Sequence, residues 1–148
     1  MQYLWVGGRV PGLNEILRAR TTGRRHNPNR PTKRFDGYGD MKKAWGKRVE
    51  LFAQAAQVDP IEHGSYFTYL FVEPNQRRDP LNFIAGGIKV IEDGLQSAGV
   101  LPNDNWEYVL GIAPFWVCEQ NREPGCHLWI GEACATSLEM CLTWRDGV

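Results

Sequence analysis

The sequence lacks any apolar run near the ~20 residues needed to cross a bilayer, so no membrane partner is expected. Its start, Met1 to Trp5, has neither the basic region nor the long apolar stretch of a signal peptide. A soluble, cytoplasmic protein with reduced cysteines is therefore expected. Closely spaced cysteine pairs are also missing. Cys118, Cys126, Cys134 and Cys141 fall eight, eight and seven residues apart, outside the two-to-four-residue gap of a zinc knuckle. Two readings stay open: packing thiols, or a zinc site if Cys118 and Cys126 face each other beside His127. No Gly-x-Ser-x-Gly, P-loop or dinucleotide fingerprint occurs. His26, His63 and His127 are scattered, and none has a neighbour that marks a catalytic pair.

Net charge is lacking too, but the balance hides an asymmetry. Residues 1–48 hold twelve Lys or Arg against three Asp or Glu, while residues 49–148 hold five against fourteen. A basic first part can neutralise phosphates, and an acidic remainder can hold cations. The two halves can equally attract each other within one fold. Residues 21–40 are basic, rich in Gly, Pro and Asn, and almost without aliphatic side chains. Such a stretch buries too little apolar surface to order itself, so a flexible loop that orders on a polyanion is expected.

What remains is enough for one domain over residues 1–148 with a real core. Residues 2–6 read as a strand and 13–20 as a short helix. Residues 41–57, capped by Asp40, carry an apolar stripe of Met41, Trp45, Val49, Phe52 and Ala56 at helical spacing. Ser65 to Glu73 is aromatic and β-branched and reads as a strand. Asp79 and Pro80 fit the N-cap and first position of a helix over 80–98, with Gly99 closing it. Ile84, Ile88, Ile91, Leu95 and Ala98 form its apolar stripe. Asn82, Lys89 and Asp93 fall on the opposite side. Gly86-Gly87 inside that helix is unfavourable by propensity, roughly 1 kcal/mol each relative to Ala, and allows another backbone, a partner helix or DNA, to approach. Trp106 to Cys118 reads as a strand kinked at Pro114. Residues 121–125 read as a hairpin turn and Cys126 to Ile130 as the return strand. Residues 132–148 are a C-terminal extension that fits a helix or a strand equally. The pattern is α+β: a mixed sheet of about four or five strands with two main helices on one face.

Chemistry, if present, lies in carboxylates, since metal-assisted phosphodiester cleavage needs clustered hard oxygen ligands. Asp79 and Asp104 flank a helix about 28 Å long and meet only if the chain after it folds back. The plain reading of Asp79 is a helix cap, and that of Asp104 a turn residue.

Three stretches, "RRDPLN" at 77–82, "IKVIEDGL" at 88–95 and "SAGVLPNDNW" at 97–106, resemble the RusA-type family of Holliday-junction resolvases. That family's motif is Asp-x-Asp-Asn, a helix with a lysine and an Asp-Ala/Gly-Leu triplet, then Ala-Gly-Val leading to a final aspartate. "GRVPGLNE" at 8–15 and "REPGCHLWI" at 122–130 resemble its opening and its last strand pair. The resemblance implies a single RusA-like domain, a homodimer, Mg²⁺ as cofactor and symmetric cutting of branched DNA in recombination and repair, in a bacterial or phage-infected cytoplasm. It places catalysis on Asp79, Lys89 and Asp104, with metal on Asp79 and Asp104. The middle aspartate of the motif falls on Leu81, which cannot bind Mg²⁺; Asp93 or Glu73 are the candidate substitutes. Arg24, Arg25, Arg30, Lys33 and Arg34, with Arg77 and Arg78, would hold DNA phosphates. Because of Leu81, the alternative is a weak or inactive protein that binds branched DNA without cutting it. Further rivals are a nuclease of flaps or forks and a module unrelated to nucleic acid. Gly86-Gly87 and the aromatic strands are the candidate dimer surfaces.

Overall fold

A computed structural model describes residues 1–22 and 37–148. The elements are β1 (Gln2–Gly7), α1 (Leu13–Thr22), α2 (Gly37–Ala55), β2 (Ser65–Glu73), α3 (Pro80–Ser97), β3 (Val109–Cys118), β4 (Gly125–Gly131) and α4 (Leu138–Asp146). Four strands form one mixed sheet in the order β1-β4-β2-β3. β4 runs antiparallel to β1 and β2, and β3 runs parallel to β2. The fold is α+β.

β2 lies in the middle of the sheet, and from Phe67 to Glu73 every residue is buried. Alternation along the strand sends Phe67, Tyr69 and Phe71 to one face and Leu70 to the other. The first face is the main core. It packs Leu4, Val6, Leu128 and Ile130 under Val49 and Ala53 of α2 and Phe83, Ile84, Ile91 and Leu95 of α3. On the second face, Leu70 and Trp129 are covered by Cys141, Leu138, Leu142 and Trp144 of the C-terminal helix. The extension is thus a helix, capped by Ser137 whose hydroxyl accepts from the Met140 N–H at 3.2 Å. It covers the face opposite α2 and α3, so the helices are not confined to one side.

Several expectations need correction. The last two strands do not form a hairpin: β2, buried on both faces from Phe67 to Glu73, lies between them, and β2 and β4 are the two interior strands. Cys118 and Cys126 therefore lie on strands about 9.6 Å apart, pair with Glu73 and Phe71 of β2 respectively, and do not face each other. Asp40 lies inside the first turn of α2, which begins at Gly37, and Ala56 of the expected stripe is exposed. Finally, Gly86 and Gly87 do receive a backbone, but it is the chain's own. A side chain on Gly86 would meet Pro11, Gly12 and Leu13 backbone atoms within 2.6 Å, and one on Gly87 would strike Phe71 and Val10. That pair packs the β1–α1 connection against α3 and is no free dimer or DNA surface.

Candidate functional site

Asp79 is the N-cap of α3: its carboxylate accepts from the Leu81 N–H at 2.9 Å, and Pro80 occupies the first turn, where no N–H is needed. At the far end, Ala98 caps the helix and Gly99 takes φ +73°, a conformation that suits glycine. The N–H groups of Val100 and Leu101 both return to the Leu95 carbonyl, at 3.0 and 3.2 Å, and both side chains are buried. This anchored reversal sends residues 102–105 back along α3.

The reversal sets Asp104 against Lys89. The Lys89 ammonium lies 3.0 Å from Asp104 Oδ2 and 3.0 Å from Asp93 Oδ1. Asp93 is buried, and its second oxygen takes the Lys42 ammonium of α2 at 3.3 Å. Lys42, Asp93, Lys89 and Asp104 thus form one alternating chain of charges across α2, α3 and the following loop. The two carboxylates hold the Lys89 amine above its usual range, and Lys89 in turn holds the Asp104 carboxyl below its own. Glu92, close by on the helix, is buried, accepts from Tyr69 Oη at 3.3 Å, and has its carboxyl raised by that burial. Lys42 and Glu92 are absent from the set read from sequence. Lys42 lies off its helix's apolar stripe, a pattern that also fits a solvated lysine.

A second cluster joins the two ends of the N-terminal segment. Glu73, at the end of β2, is buried and holds Arg9 at 2.9 Å and the Arg78 guanidinium through both its oxygens. Arg78 also donates to the Val10 carbonyl at 2.7 Å and to Glu15 at 3.2 Å, and lies over the Phe83 ring. Arg78 is thereby a clamp between β2, α1 and α3, and Glu73 is already neutralised. Arg77 is exposed; its backbone N–H bonds Asn75 Oδ1 at 3.2 Å. Arg24, Arg25, Arg30, Lys33 and Arg34 lie outside the described residues, as does most of the basic loop.

The fit to a metal follows from these positions. Asp93 is fourteen residues beyond Asp79, about 21 Å along the helix axis at 1.5 Å per residue. Lys89 reaches towards Asp93, and Asp104 lies with it, at that end of the helix. A Mg²⁺ ion takes its oxygens at about 2.1 Å. The arrangement therefore does not fit one ion bound directly by both Asp79 and Asp104. Asp93 and Glu73, the expected substitutes, already hold lysines and arginines. Among the described residues no three His, Cys, Asp or Glu gather into a metal-holding group. Leu81 is 77% exposed rather than packed in the core.

No protein-family model matches the chain, and no curated protein matches it. Among the described residues, no helix is long and apolar enough to cross a membrane.

Proposed function

We propose that the protein acts on branched DNA as a RusA-like endonuclease that resolves four-way junctions in recombination and repair, as a homodimer with Mg²⁺ as cofactor. One observation carries this reading. Lys89 and Asp104, the two residues that the resemblance places in catalysis beside Asp79, are fifteen apart in sequence and in direct contact. Such a contact needs the chain to reverse after α3, which spacing alone does not require. In this reading Lys89 neutralises charge on the phosphate under attack, Asp104 orients that lysine, and the basic residues of 21–40 and Arg77 hold flanking phosphates.

A second reading, binding of branched DNA without cutting, is favoured by two observations. The Lys89 ammonium already sits between Asp93 and Asp104, where a cation would otherwise balance them. The motif's middle aspartate is a leucine, exposed beside Asp79.

One assay separates the two. A labelled synthetic four-way junction is incubated with the protein at graded Mg²⁺, with duplex, fork and flap DNA in parallel. Paired symmetric cuts that need Mg²⁺ support the first reading. A retained shift of the junction in a gel, with no cutting, supports the second. Equal affinity for junction and plain duplex, without cutting, overturns both.

A further inference from the structure

The turn that carries Asp104 also carries the most exposed large apolar side chain among the described residues. Trp106 is 93% exposed and belongs to neither core cluster. Tryptophan is highly buried on average in folded proteins, so an indole left in water adds nothing to this fold and calls for another account. The backbone on both sides of it is fixed. Asn105 Oδ1 accepts from the Glu107 N–H at 3.0 Å, and the Asn105 carbonyl accepts from the Tyr108 and Val109 N–H groups at 3.2 and 2.9 Å. The Tyr108 carbonyl accepts from the Ser65 N–H of β2 at 2.9 Å, and Asp104 is held by Lys89 at 3.0 Å. The turn is thus tied to α3 at one end and to the sheet at the other, and the indole is presented on a pre-organised support. Asp104 and Trp106 are two residues apart, no more than about 7 Å of backbone. An aromatic plane is therefore set close to the ammonium that the proposed function assigns to a phosphate.

The neighbours of the indole indicate what covers it. Asn103, Asp104, Asn105 and Glu107 flank it in the chain, and all are exposed. The core of a protein–protein contact is depleted of charged residues, whereas this turn is polar and acidic. A nucleobase fits it better: a flat face for the indole and hydrogen-bonding edges for the amides. The acidic side chains disfavour a phosphate at the same spot, so the phosphate lies at Lys89 and the base at the turn. We propose that Trp106 sets a preference for branched DNA, its indole stacking on a base that has lost a stacking neighbour at the branch point. In a continuous duplex both faces of every base are covered, and none is open to the indole. Base–aromatic stacking tolerates any sequence, because every base has a π-face. The inference rests on the reading of this site as one for branched DNA, and adds the residue that tells a branch from plain duplex.

The test uses the full chain with a four-way junction and a duplex of matching sequence, without Mg²⁺ so that no strand is cut. The base analogue 2-aminopurine, whose fluorescence is quenched by stacking, is placed at the branch point. At saturating protein the signal is expected to fall with the natural chain and with Trp106→Phe, and to stay high with Trp106→Ala. Trp106→Ala is also expected to bind the junction about tenfold or more weakly, with duplex affinity and circular dichroism unchanged. A Trp106→Ala chain that binds the junction as tightly as the natural one, or quenches as well, overturns the inference and leaves the DNA reading standing. So does an equal loss on junction and duplex, or a Trp106→Phe chain that behaves like Trp106→Ala. A natural chain that binds the junction no better than duplex overturns it as well; if that chain also cuts nothing when Mg²⁺ is restored, the DNA reading falls with it.

Discussion

Lys89 and Asp104 touch at 3.0 Å across the turn that ends α3, and Asp93 shares the same ammonium at 3.0 Å. The contact makes one lysine the partner of two carboxylates, and it couples the loop at 102–105 to the helix. Asp104 is exposed, so the contact sets its protonation more than the stability of the fold. Lys89→Met is expected to return the Asp104 carboxyl upward to the ordinary range. A lowered carboxyl contributes stability above its unfolded pKa and loses it as pH falls through the folded value. The variant should lose that contribution at neutral pH. A carbon-detected NMR titration of Asp104 in both proteins checks this, and an unchanged midpoint would mean that the contact is not populated.

His127 gives the fold an acid limit. Burial, reinforced by Arg145 and Arg122, pushes its imidazole down to about 4. The folded protein holds it neutral, with Nδ1 2.8 Å from Tyr3 Oη, while the unfolded chain takes a proton near pH 6.5. Between pH 6.5 and 4 the unfolded state binds more protons, so stability should fall as pH falls through that window. Urea midpoints at pH 7 and 4.5 are expected to differ more in the natural protein than in His127→Asn. Equal differences would place the titrating group elsewhere.

Gly86 is held by its lack of a side chain. By helix propensity, Gly86→Ala should stabilise by roughly 1 kcal/mol. The new methyl would lie within 2.6 Å of the Pro11–Leu13 backbone, which cannot move away as a side chain would. Overpacking of this kind costs about 1–3 kcal/mol, so a net loss is expected. Ala85→Gly, at an exposed helical site, serves as the comparison and should lose only the propensity difference. A stabilised Gly86→Ala protein in urea unfolding would contradict the close approach.

Leu81 separates stability from activity. Since it is exposed, Leu81→Asp should change stability by no more than about 0.5 kcal/mol. A carboxylate in the first turn also suits the helix N-terminus. On the proposed function, it restores the motif's second acid beside Asp79 and is expected to raise Mg²⁺-dependent junction cutting. Asp79→Asn should abolish the cutting shown by the natural protein. Strong cutting that survives both Asp79→Asn and Asp104→Asn would remove the site from this helix altogether.

The basic arm is tested by salt. Replacing Arg24, Arg25, Lys33 and Arg34 together should weaken junction binding and flatten the dependence of log affinity on log salt. Each phosphate that the variant no longer neutralises should lower the slope by about 0.9. A slope equal to that of the natural protein would mean that the arm does not touch DNA. Arg78 makes a useful contrast. Engaged by Glu73, Glu15 and Val10, Arg78→Ala should lower the thermal midpoint.

The elements with strong local signals were legible in the sequence. Asp79-Pro80 and Gly99 bracket α3 because capping and positive φ are properties of single residues, and Ser65–Glu73 is a strand because its side chains are aromatic and β-branched. The faces of β4 also followed from alternation alone: Cys126, Leu128 and Ile130 turn to the main core and Trp129 to the other. Of the candidate site, local spacing supplied the residues and tertiary structure supplied their partners. That β2, not β4, neighbours β3 is a matter of long-range pairing: β4 follows β3 in the chain, yet both pair with β2 instead of with each other. That Asp93 is buried under two lysines depends on α2 crossing α3, where Gly94 admits Val49. Asp104 reaches Lys89 only because Val100 and Leu101 are drawn into the core, turning the chain back. Helix caps and strand faces are set within a few residues, whereas ion-pair partners and sheet order are set by which surfaces compete for the same core, and that competition is decided only when the whole chain has folded.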